Sequence, residues 1–97
     1  MALSNDYDLE LLTNEAERMV LEQLQKQLDE SPAEVCLCQD CVLDMAAYAL
    51  NNVKPMYRVS LLGTLYAHSL PGSDYEQSIA EAVRTAIEKI SQNPSHA

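Results

Sequence analysis

Neither phenylalanine nor tryptophan occurs in this chain, and only two of its 97 residues are glycine. The core must therefore come from Leu, Val, Ile, Met, Ala and some Tyr, a palette of helix formers, and an all-α protein is predicted. Basic side chains are also scarce. Six Lys and Arg stand against fifteen Asp and Glu, for a net charge of −9. A duplex repels such a surface, which argues against a general nucleic-acid-binding role. No apolar run has the length of a membrane span. The N-terminus carries acids where a secretory signal would be basic, so a reducing cytoplasm is the expected setting. The P-loop, the dinucleotide fingerprint, the nucleophile elbow and H-E-x-x-H are all missing, so no enzyme is expected.

What is present fits one domain over 1–97, with 1–8 and 93–97 as a frayed start and a polar tail. A chain this small buries a limited fraction of its surface, so a metal or a second subunit would help it stay folded. Its apolar content exceeds what so small a core can use. A homodimer is therefore expected, with apolar residues of the first and last helices at its interface.

Helical spacing of apolar residues runs through Leu9, Leu12, Ala16, Met19, Val20, Leu24 and Leu28. Glu15, Glu17, Arg18, Glu22 and Lys26 are placed on the outer face, with Glu22 and Lys26 as an i,i+4 pair. Asn5, Thr13 and Asn14 are all possible caps, and Ser31-Pro32 ends the helix. Asp40 is the expected N-cap of a second helix with Val42, Met45, Ala46, Ala49, Leu50 and Val53 buried. Pro55 stops it, leaving Asn52 to Lys54 as its last turn. Met56 to Val59 reads as a short extended link. Ser60 opens a third helix through Tyr66, and Leu70-Pro71-Gly72 is a turn. Ser73-x-x-Glu76 caps a last helix whose stripe is Ile79, Val83, Ala86, Ile87 and Ile90.

All three cysteines fall within six residues, as Cys36-x-Cys38-x-x-Cys41. Thiolates at this spacing can converge on one tetrahedral ion, and zinc is the usual soft-ligand metal. The fourth ligand is open between His68, His96, a carboxylate such as Asp40 or Asp44, and water. The plainer alternative is three small buried apolar side chains, but such tight clustering favours the metal.

Between Lys26 and Arg84 the only cations are Lys54 and Arg58, and they flank Pro55 and Tyr57. Arg offers a planar fork for a phosphate or a guanine edge, and Tyr a stacking face. Such a link suits a small, planar, anionic ligand, with Asn52 and Ser60 as further hydrogen-bonding groups. The plainer alternative makes Lys54 a helix cap, Tyr57 a core residue and Arg58 an ion-pair partner. On these residues alone it is the stronger reading.

Cys36-x-Cys38-x-x-Cys41, Asp44, Ala49-Leu50-Asn51, Pro55-x-Tyr57 and Val59-Ser60 together resemble the late competence protein ComFB family. The resemblance implies a small domain of about four helices with a short extended link, forming a two-fold dimer. Some members look like zinc proteins with a fourth cysteine near the C-terminus. This chain has no cysteine after Cys41, and His96 stands about where that ligand would fall. The resemblance also implies competence or motility control and a cyclic dinucleotide receptor acting on an unidentified protein partner. Asn52, Lys54, Pro55, Tyr57, Arg58 and Ser60 would then meet the ligand. A zinc-stabilised adaptor dimer without a small ligand is the alternative.

Overall fold

Among the described residues three helices build the core, and each does so through the stripe that its spacing marks. The computed structural model describes residues 2–31, 34–59 and 74–94. Helix α1 (Leu3–Asp6) is a single exposed turn where a frayed start is expected. A 3-10 turn at Leu9–Leu11 and strand β1 (Thr13–Asn14) follow. The long elements are α2 (Glu15–Asp29), α3 (Gln39–Leu50) and α4 (Asp74–Gln92). Between α3 and α4 the described chain contributes one short strand, β2 (Tyr57–Arg58). The expected third helix from Ser60, the turn at 70–72, and Ser73 of the capping box lie outside the described residues.

Helix α4 packs chiefly on α3 and then on α2. Val20 and Leu24 of α2 meet Cys41, Met45, Ala46 and Ala49 of α3, and Ile79, Ala82, Val83 and Ala86 of α4. Val20, Met45, Ile79 and Val83 are fully enclosed, each contributing about 1.5–3 kcal/mol relative to exposure. Met19, Leu28, Val42, Leu50, Val53, Ile87 and Ile90 are half-buried at the rim. The side chain of Gln27 ties α2 to α4 by donating to the carbonyl of Ala80 at 2.9 Å.

Several element ends differ from the expected ones, each for a local reason. Leu9 and Leu12 precede the first core helix and are exposed. Asn14 starts that helix instead, because its backbone is extended and its Oδ1 accepts from Ala16 N at 3.1 Å. Glu22 pairs with Arg18 at 2.6 Å, one turn before it, and not with Lys26. Cys38, not Asp40, caps α3. Its backbone is extended and its Sγ accepts from Cys41 N at 3.4 Å. Asp40 then lies in the first turn, where a carboxylate complements the helix dipole. Helix α3 stops at Leu50, and Asn52 closes it by donating its side-chain amide to the carbonyl of Tyr48 at 2.8 Å.

Strand β2 confirms the extended link, but its partner has no signal in the sequence. It pairs antiparallel with β1, Thr13 opposite Arg58 and Asn14 opposite Tyr57. The same Oδ1 that caps α2 also accepts from Met56 N at 2.8 Å, and Glu15 N donates to Met56 O at 2.7 Å. Asn14→Ala therefore removes a cap and a docking bond at once. It should lower unfolding stability by about 2–3 kcal/mol, read from urea denaturation. Asn14→Asp, which keeps an acceptor oxygen, should lose less than half of that.

Candidate functional site

Two groups of chemically active residues flank α3. At its start stand the cysteines, two before it and one in its first turn: Cys36 half-buried, Cys38 exposed and Cys41 buried. Their sulfurs all lie within 4.8 Å of one another. Around a tetrahedral zinc with ~2.3 Å bonds, neighbouring sulfurs sit ~3.8 Å apart. A small contraction would bring the trio to that spacing, so the donor set fits a zinc ion. Cys38 contributes twice, as ligand candidate and as helix cap. Among the described residues this cluster holds the three cysteines only. Neither Asp40 nor Asp44 belongs to it, and His68 and His96 lie outside the described residues.

After the last turn of α3 comes the link, and it is held along its length. Tyr75 of α4 donates its hydroxyl to the carbonyl of Lys54 at 2.7 Å. Burial pushes the Tyr75 phenol up from its ordinary value, so the hydroxyl stays a donor. Met56 is docked on Asn14 and Glu15 as described. Arg58 Nε donates to Glu15 Oε2 at 2.8 Å, while Arg18 Nε engages Oε1 of the same carboxylate. Glu15, expected on the outer face, is 1% exposed. Burial pushes its carboxyl up, but the hydrogen bonds from Arg58 and Arg18 outweigh that and hold it below the ordinary 4.5.

The residues expected to meet a ligand are thus divided. Asn52 and Lys54 line a hollow of about 390 Å³ with Val53, Asp74, Tyr75 and Ser78. Asn52 and Ser78 also face an adjoining hollow of about 270 Å³ that contains Glu81. Arg58 and Tyr57 sit on the strand instead. Tyr57 is 62% exposed and so is no core residue. Arg58 has the ion-pair partner that the plainer reading requires, yet keeps 27% of its side chain exposed. Pro55 is exposed between the two sets, and Ser60 lies outside the described residues.

Over residues 13–94 the sequence matches the family described as Late competence development protein ComFB. The chain belongs to the ComFB family. Among solved structures it is similar to the late competence protein ComFB from Bacillus subtilis, at 27% identity and a TM-score of 0.72. The likeness covers 87% of this chain and 92% of that one. No curated protein matches. The family span opens at β1, so it includes both Asn14 and Glu15.

Glu15 is the site residue that the sequence reading missed in this ComFB-family chain. The available signal was its place four residues before Met19, on the edge of the apolar stripe. Its lowered carboxyl makes a pH statement. The unfolded chain takes up the proton first as pH falls, so the Glu15 contribution is present above about 4.5 and lost below it. In urea denaturation from pH 7 to pH 3, the stability difference between wild type and Glu15→Gln should shrink below that value. If the three cysteines hold a zinc ion, elemental analysis should find one per chain. Cys38→Ser should lower the melting temperature, since metal binding and folding are coupled. Truncation before Pro94 should weaken zinc retention if His96 is the fourth ligand.

Proposed function

We propose that this chain is a non-enzymatic signalling receptor for a cyclic dinucleotide, cyclic di-GMP or cyclic di-AMP. In this reading it works as a homodimer in the cytoplasm and passes its state to a protein partner in competence or motility control. The observation that supports it most is the pairing of exposed Tyr57 with a partly exposed, anchored Arg58 on one short strand. Tyr57 offers a stacking face for a base, and Arg58 a charge-assisted donor for a phosphate or a guanine edge. Lys54, exposed at the start of the link, adds attraction at longer range. A dianion approaching a chain of net charge −9 needs such a local positive patch. A two-fold dimer doubles the central one to four cations and matches the symmetry of the ligand. Leu3, Leu9, Leu11 and Leu12, exposed ahead of α2, supply apolar surface for the dimer.

The cysteine geometry supports a second reading, a zinc-stabilised adaptor dimer with no small ligand. Its zinc would be structural, held by Cys36, Cys38, Cys41 and His96, and would fix the start of α3. Asp74 and Glu81 in the hollows beside α4 weigh toward this reading, since they repel an anion there.

Calorimetric titration with cyclic di-GMP and with cyclic di-AMP separates the two. A charged hydrogen bond contributes ~1.5–3 kcal/mol, so losing both symmetric arginines should weaken binding by at least about tenfold. Arg58→Ala should remove measurable binding while the helical circular dichroism remains, because Arg18 still pairs with Glu15. Arg84→Ala, on the exposed face of α4, should matter less. An Arg58→Ala protein that binds as tightly as wild type leaves the adaptor reading.

A further inference from the structure

Arg58 is fixed at two points along its length. Its backbone is in the β1–β2 ladder opposite Thr13, and its Nε is held by Glu15 at 2.8 Å. Glu15 is itself immobilised. It is the first residue of α2, its N–H donates to Met56 O at 2.7 Å, and its side chain is enclosed. A guanidinium has five N–H donors, and Glu15 takes the one at Nε. The four on the terminal nitrogens are the edge it leaves over, on a side chain that is still 27% exposed.

The charge balance points the same way. Arg18, one turn along the same helix, supplies the counter-charge that a buried carboxylate needs. The second guanidinium arrives from 43 residues away and, with Arg18 shared between Glu15 and Glu22, brings the group of two carboxylates and two guanidiniums to balance, where without Arg58 it would be net negative. Glu15 therefore orders Arg58 while the partly exposed terminal N–H edge of the fork stays the part that can meet an anion.

We infer that Glu15 is a positioning residue of the ligand site, gripping Arg58 by Nε so that the terminal edge of its fork is aimed at the anion. This rests on the receptor reading given above. An arginine already ordered loses little rotamer freedom when the ligand docks. The geometry also discriminates between cations. A lysine at position 58 has all three N–H donors on one compact ammonium, so a group held at Glu15 has no separate planar edge to aim at the ligand.

The test is calorimetric titration of the full chain with both cyclic dinucleotides, alongside melting temperatures, for wild type and four variants. Arg58→Lys should lose binding as fully as Arg58→Ala, at least about tenfold. Glu15→Gln, with the fork no longer gripped by a charge, should weaken binding by at least about fivefold. Arg18→Gln breaks the other arm of the network and should lower the melting temperature, yet leave affinity within about twofold. If Arg58→Ala loses binding and Arg58→Lys keeps it, the receptor reading stands and the positioning role of Glu15 is overturned. A loss in Arg18→Gln equal to that in Glu15→Gln also overturns it, since both would then act through stability. Should Glu15→Gln fail to fold, Arg58→Lys decides alone. Wild-type protein that binds neither dinucleotide overturns the receptor reading and this inference together.

Discussion

One side-chain oxygen, Oδ1 of Asn14, accepts from Ala16 N and from Met56 N, the second lying 42 residues further along the chain. With the first bond it starts α2; with the second it docks the link. The next residue repeats the arrangement in charged form, its backbone on Met56 and its carboxylate on Arg58. The start of the first core helix and the presentation of Tyr57 and Arg58 are therefore one structural fact. Whatever loosens that start also loosens the link.

The helix interiors were legible in the sequence because their signal is local. Val20, Leu24, Met45, Ala49, Ile79, Val83 and Ala86 repeat at helical spacing, and each is buried. The ends were less legible, because caps compete. Asn5, Thr13 and Asn14 are all chemically fit to open α2, and the choice falls to the one that also receives Met56. Cys38 displaces Asp40 at α3 because the backbone turns there, one residue ahead of the helix. The β1–β2 pair is two residues long, too short for any alternation to register. Burial of Glu15 depends on two arginines, one of them distant, and pattern alone cannot supply the second. The close approach of the three sulfurs, by contrast, was readable from spacing, since all three belong to one turn and the helix start that follows.

The two chemically active regions stand at opposite ends of α3. Its twelve residues span ~18 Å at 1.5 Å per residue. A metal at the cysteines is thus well out of reach of a ligand at Arg58 of the same chain. The division of labour is between holding one end of the helix and presenting chemistry at the other. Lys54 and Arg58 lie beyond the far end of the helix from the cysteines.

The long sequence separation between Glu15 and Arg58 governs the order in which the molecule becomes rigid. Helices α2 and α3 gain their hydrogen bonds from near neighbours, but Met56 and Arg58 of the link gain theirs only by closing a loop of some 43 residues. Closure of such a loop carries an entropic penalty of about 3 kcal/mol before any bond at its end is made. Contacts of this kind form late and open early, because each depends on the others already being in place. The β1–β2 pair is only two residues long on each side, so it adds little that could hold the loop closed by itself. In hydrogen exchange the amide of Met56 would report this opening directly, at a lower free energy than the amides inside α3. The exposed aromatic of the link, Tyr57, is thus carried on a segment that opens before the core helices do.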